Sequence, residues 1–126
     1  TAHRLFLQKR APDKDLFPDY WDTSVGGHVS LGEEIKTALL REAKEELDID
    51  AGAARFLYSY LMRNRYETEF VSTFLLAWDA EIRINRQELS EGRFFSAGEI
   101  KEKLGTGIFT PNFEQEWAHL CAAGIF

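Results

Sequence analysis

Glu42, Glu45 and Glu46 stand one helical turn apart in a stretch, Gly27 to Ile49, that interleaves them with Ile35, Ala38, Leu39, Ala43 and Leu47. At about 100° per residue, Glu42 and Glu46 fall inside the arc swept by Ile35, Leu39 and Ala43, with Glu45 at its edge. The carboxylates therefore share the side expected to face the core. Burying ionised carboxylates beside one another is unfavourable unless something cationic compensates them, and a hard divalent ion held by oxygen ligands does so. A solvated acidic face is the competing reading, but Thr37, Arg41 and Lys44 already mark a solvent side elsewhere on the helix. Arg41 can also pair with Glu45 at i,i+4 near the boundary.

Other residues around this stretch carry potential chemistry. Ser30 and Glu33 have capping-box spacing, which predicts that Glu33 braces the loop against the helix start. Asp48 follows the last carboxylate where a left-handed backbone would end the helix, a conformation that aspartate tolerates better than most residues. Gly26 and Gly27 allow an unusual path into the helix. Glu67 and Glu69 lie two apart in an expected strand, so they share one face and repel unless a cation or proton sits between them. An exposed edge-strand pair is the alternative. Glu88 and Glu91 are weaker candidates for a base delivered by a loop, while Arg10 and Lys14 have the chemistry to hold a phosphate.

The elements that must position these groups are legible in outline. Leu5 to Leu7 reads as a strand, followed by a loop containing Pro12, Asp13, Asp15, Pro18 and Asp19. Phe56 to Arg63 and Tyr66 to Trp78, separated by Asn64 and Arg65, predict a long antiparallel hairpin. A short strand is expected over Gly92 to Phe95. Ser96 with Glu99 predicts a capped short helix, and Thr110 with Pro111 starts a last helix packed through Phe113, Trp117 and Leu120. Trp21 and Cys121 are expected in the core. Helices covering a mixed sheet make an α/β (α+β) sandwich.

Composition bounds the reading. The 126 residues suit one domain, and 44% hydrophobic with 13% aromatic content fills one core. A formal net charge of −6 argues against a general nucleic-acid binder or a partner of acidic membranes. The single cysteine forbids an internal disulfide, and neither a signal peptide nor an apolar stretch of spanning length occurs, so a cytoplasmic location is the default expectation.

From Gly27 the spacing runs five residues to Glu33, seven more, then Arg41 Glu42 Ala43 Lys44 Glu45 Glu46 Leu47 Asp48 Ile49. This resembles the Nudix box, departing mainly at Asp48, where glycine is usual. The resemblance implies an α/β/α sandwich with a mixed β-sheet over residues 1–126, and Mg²⁺ or Mn²⁺ held by Glu42, Glu45, Glu46 and the Gly26 carbonyl. Gly27, Glu33 and Arg41 would support the site, Arg41 by orienting Glu45. Such folds carry a strand ahead of the one at Leu5, so Thr1 to His3 read as a remnant of a truncated N-terminal strand.

A second likeness covers Lys9 to Glu33 and recurs at Glu67 Thr68 Glu69. Lys9 Arg10 Ala11, Lys14, Pro18, Trp21, Ser24 Val25 Gly26 Gly27 His28 and Leu31 Gly32 Glu33 are similar to type 1 isopentenyl diphosphate isomerase, itself of the Nudix superfamily. That resemblance places Arg10 and Lys14 on the substrate diphosphate, gives Glu67 and Glu69 metal-binding and acid/base work, and matches His28 to a metal-binding histidine. Gly26, however, stands where the isomerase has its catalytic cysteine, while the carboxylate set the isomerase lacks is complete.

Together these features imply metal-assisted hydrolysis of a diphosphate linkage, with Glu46, Glu45, Glu67 or Glu69 as the base. A nucleoside diphosphate linked to another moiety is the leading substrate class. An isomerase acting on isoprenoid diphosphates and a non-catalytic diphosphate-binding module are the alternatives. The partners implied are a small-molecule diphosphate, neither nucleic acid nor membrane, with a homodimer open.

Overall fold

The computed structural model describes residues 4–26 and 32–126. Thr1 to His3, Gly27, His28, Ser30 and Leu31 lie outside them, and with them the expectations for an N-terminal remnant, for the glycine that opens the box and for the histidine. In chain order the elements are β1 (Arg4–Arg10), β2 (Trp21–Asp22), α1 (Ile35–Leu47), β3 (Arg55–Arg63), β4 (Thr68–Leu75), β5 (Leu89–Ser96), α2 (Ala97–Lys103) and α3 (Pro111–Ala122). The chain is of the α/β class, with antiparallel sheets and, among the described residues, three helices. It divides into two units, Thr1–Ser24 with Arg86–Phe126, and Val25–Asn85.

The first unit is built on β1, whose middle residues Leu7 and Gln8 alternate to opposite faces and are both buried. That is the pattern of a central strand, and β1 indeed pairs antiparallel with β2 on one side and β5 on the other. The parallel component is a single bridge between Trp21 and Phe109, framed by Trp21 N–H to the Ile108 carbonyl (2.8 Å) and Thr110 N–H to the Trp21 carbonyl (3.0 Å). It ties β2 to the start of α3. Around it the rings of Trp21, Phe95, Phe109 and Phe113 follow one another at 4.9, 5.9 and 5.0 Å. Such side chains contribute roughly 1.5–3 kcal/mol each on burial. Both helices start as their sequences predict: the Ser96 hydroxyl accepts from Glu99 N–H, and the Thr110 hydroxyl from Phe113 N–H ahead of Pro111. Phe113, Trp117 and Leu120 are buried, whereas Cys121 is only half-buried.

The second unit holds α1 and the β3–β4 hairpin. The turn is longer than the two residues expected, running from Asn64 to Glu67. Asn64 Oδ1 accepts from Tyr66 and Glu67 N–H at 2.8 and 3.1 Å, so its side chain imitates a backbone acceptor. The second strand is accordingly shorter than Tyr66 to Trp78. Glu67 precedes β4 rather than lying in it, which corrects the expectation that Glu67 and Glu69 share one face of a strand. Glu91, for its part, is paired with Lys9 inside β5 and is not in a loop.

Candidate functional site

α1 begins at Ile35 with Glu34 as its N-cap residue, and no side chain caps it. Glu33 therefore does something other than the capping predicted from its distance to Ser30. Its two carboxylate oxygens each accept from Arg41, at 3.0 Å from Nε and 3.0 Å from Nη2, in a bidentate pair. This pair joins the segment before α1 to the body of the helix. The remaining Arg41 nitrogen, Nη1, donates to Glu42 at 2.8 Å and lies 3.6 Å from Glu45. Arg41 thus lies within ion-pair distance of Glu45, but it grips Glu33 and Glu42 more closely. These carboxylates hold the guanidinium pKa above its ordinary value, Glu33 foremost and then Glu42.

Burial grades the three helix carboxylates. Glu46 is 5% exposed and sits on the face with Ala38, Ala43 and Leu47. The Glu42 side chain is largely covered, and that of Glu45 is 51% exposed. Glu46 is thus the carboxylate that the periodicity of α1 carries into the interior. Ile35, expected on the same side, is instead exposed, so the apolar stripe starts about one turn later than the sequence suggests.

Backbone contacts close the C-terminal end of α1, directly after Glu45 and Glu46. Asp48 closes the helix in the left-handed region, φ 54° and ψ 45°, as its place in the pattern predicts. Its N–H reaches the Lys44 carbonyl at 3.1 Å, and that of Ile49 reaches Ala43 at 3.4 Å. Two further carbonyls are met from outside the helix: Asn85 N–H donates to Glu46 at 2.9 Å and Arg83 N–H to Leu47 at 3.0 Å. Sequence reasoning missed this support because backbone donors leave no mark in residue type. The Asp48 carboxyl lies below its usual pKa because of its hydrogen bond and charge interaction with Lys44, at 2.6 Å.

Elsewhere in the same unit, Glu69 pairs across the hairpin with Met62, which is 1% exposed, so Glu69 lies on the covered face. Glu67 stays in the turn, its carbonyl accepting from Asn64 N–H at 3.0 Å. Gly26 is exposed and outside regular structure; Glu88 is exposed in a turn. In the first unit, the Arg10 guanidinium is engaged by the Leu16 carbonyl (3.1 Å) and by Asp22 (3.6 Å). Arg10 therefore braces its own loop. Lys14 lies exposed in that loop.

The donor chemistry suits Mg²⁺ or Mn²⁺. Every candidate ligand on α1 is an oxygen, one carboxylate is buried, and the carboxylate of Glu42 already attracts a cation in the form of Arg41. Among the described residues no group of three His, Cys, Asp or Glu side chains forms a ready-made cage. Magnesium does not require one, since it keeps several waters and takes further oxygens from substrate phosphates.

The NUDIX domain family model matches residues 1–113. An isopentenyl-diphosphate Delta-isomerase 1 from Photorhabdus laumondii is 32% identical over 95% of this chain and 73% of its own length. A Nudix hydrolase from Deinococcus radiodurans is 34% identical over 82% of this chain and 62% of its own. A crystal structure of a Deinococcus radiodurans protein superposes with a TM-score of 0.80 at 28% identity, covering 92% of this chain and 74% of that one. The chain thus spans between three fifths and three quarters of the length of these relatives, and the residues matched by the family model include the whole carboxylate helix. It belongs to the Nudix hydrolase family.

Proposed function

We propose that the protein is a Mg²⁺- or Mn²⁺-dependent hydrolase of a diphosphate linkage in which a nucleoside diphosphate is joined to another moiety, and that residues 1–126 act as one domain. The observation that carries this is Glu46, a carboxylate buried on α1 beside Glu42 and next to Glu45, in a helix where Arg41 already engages Glu33 and Glu42. A bound divalent ion would neutralise the phosphates and lower the pKa of the attacking water. Glu42, Glu45 and Glu46 would hold it, with the carbonyl of Gly26. A carboxylate from the set Glu46, Glu45, Glu69 and Glu67 accepts the proton of the water as its oxygen attacks phosphorus and the bridging P–O bond breaks. Arg41, fixed by Glu33, sets the directions of Glu42 and Glu45 without touching substrate.

A second reading is supported by the 32% identity to the isomerase. It has against it Gly26, a residue with no side chain where that chemistry uses a thiol. The test is incubation with Mg²⁺ or Mn²⁺ and a panel of nucleotide-linked and isoprenoid diphosphates, following phosphate-bearing products, with Glu46→Gln alongside. Wild-type turnover should need the metal, and the variant should lose at least about a hundredfold in rate, the scale of a removed acid/base group. Metal-independent turnover, or a variant as fast as wild type, overturns the assignment. A shifted double bond without cleavage of the diphosphate establishes the isomerase instead.

A further inference from the structure

The two faces of the hairpin differ in kind. Alternation and register place Tyr58, Tyr60 and Met62 of β3 on one face with Thr73, Val71 and Glu69 of β4 opposite them. The other face carries Leu61 and Phe70 as a cross-strand pair, with Phe56 and Phe74 in edge contact beyond a bulge. Leu61, Phe70 and Phe56 are all more than half exposed.

On the first face Met62 is sealed, yet Tyr58, Tyr60, Glu69, Val71 and Thr73 all remain half-buried. A sheet face closed by a core would be covered throughout. This one is covered at Met62 and accessible around it. The Tyr58 and Tyr60 rings lie 5.9 Å apart and tilted by 47°, so neither is stacked flat on the other. Tyr60 is two residues from Met62 and hence diagonal to Glu69, a separation of about 7–8 Å in an antiparallel pair, within reach of a long side chain. Tyr58 follows about 7 Å further along the strand.

We propose that Tyr58 and Tyr60 form the surface on which the planar nucleobase of the substrate stacks, and that this pair makes the site select nucleotide-linked over aliphatic diphosphates. The inference rests on the hydrolase reading above, with Glu69 belonging to its site. A tyrosine ring offers a π-face that any base can cover and a hydroxyl for the polar edge of that base. An aliphatic chain would be better served by a lining of leucine, phenylalanine and methionine. The residues of that kind lie mostly on the opposite face.

The test is equilibrium binding by calorimetry to the 126-residue chain in Mg²⁺, using ADP, inorganic pyrophosphate and geranyl diphosphate as probes. Wild type should bind ADP more tightly than either of the others. The Tyr58→Leu/Tyr60→Leu double variant should weaken ADP by about 5- to 150-fold, the range of a lost base–aromatic stack, and leave pyrophosphate within about twofold. Tyr58→Phe/Tyr60→Phe, which keeps both rings and preserves the fold, should retain most of the ADP affinity. Unchanged ADP binding in the leucine variant overturns the proposal, as does parallel loss of ADP and pyrophosphate, which marks a structural role. Tighter binding of geranyl diphosphate than of ADP also overturns it. Absence of Mg²⁺-dependent pyrophosphate binding in wild type removes the diphosphate reading itself, and the tyrosine proposal with it.

Discussion

Asp48 holds a backbone conformation, φ 54°, that an L-residue adopts at a cost and glycine adopts freely. Its compensation is the contact with Lys44, and both side chains are well exposed, so that contact is weak. Asp48→Gly should therefore raise the melting temperature by about 2–4 °C at neutral pH. The pH dependence has a definite sign. The folded pKa of Asp48 is depressed by Lys44, so the stability it contributes is present above the ordinary value of 3.8 and is lost as pH falls through the lower folded value. The advantage of glycine should consequently grow between pH 7 and pH 3. Scanning calorimetry at the two pH values checks this, and a gain that shrinks in acid would show that Lys44 is not what holds the aspartate. At this scale much of the site is legible in residue type and spacing. The placement of Glu46 follows from helical period alone, and Asp48 from where the helix must end. The partner of Glu33 is not legible in the same way, because a spacing of three residues to Ser30 satisfies the capping pattern as well as a spacing of eight to Arg41 satisfies a bridge across two turns.

Element boundaries depend on contacts that local pattern does not encode. β5 starts at Leu89 rather than near Gly92 because β1 supplies hydrogen-bonding partners as far as Arg10. β2 is two residues long and exists through its pairing with β1 and the Trp21–Phe109 bridge. The hairpin turn runs to Glu67 because of where the Asn64 side chain points. By contrast α2 and α3 begin where their capping residues stand, since a cap acts within one turn of its own residue. Between β5 and α2 a charged contact joins the two elements. Arg93 pairs bidentately with Glu99 at 3.2 and 2.9 Å, its guanidinium 3.6 Å from the Phe95 ring centre. This Arg93 interaction holds the Glu99 carboxyl below its ordinary value of 4.5. A depressed carboxylate contributes stability above that value and loses it as pH falls through the folded pKa. Glu99→Gln should therefore lower the urea midpoint at pH 7 and have less effect at pH 3. Equal losses at both pH values would assign the effect to packing of the side chain rather than to its charge.

Across the whole molecule, the formal charge of −6 raises a question that single contacts leave open. Any cation relieves repulsion among so many acids by screening, and at equal ionic strength sodium should do this nearly as well as magnesium. Specific binding is different, because an ion that occupies the folded chain and not the unfolded one stabilises it by mass action. At a hundredfold excess over Kd that amounts to about 2.7 kcal/mol. For a chain of this length the melting temperature should then rise by roughly 8–14 °C. MgCl₂ compared with NaCl at matched ionic strength separates the two effects without requiring turnover or knowledge of the substrate. Glu46→Gln changes the total charge by one unit, so screening should survive in it almost intact. If the ion is held at the α1 carboxylates, the magnesium-specific part of the shift should fall in that variant by at least half. A shift of equal size in sodium, or one that persists undiminished in Glu46→Gln, would place the cation effect on the surface as a whole and leave α1 without a metal.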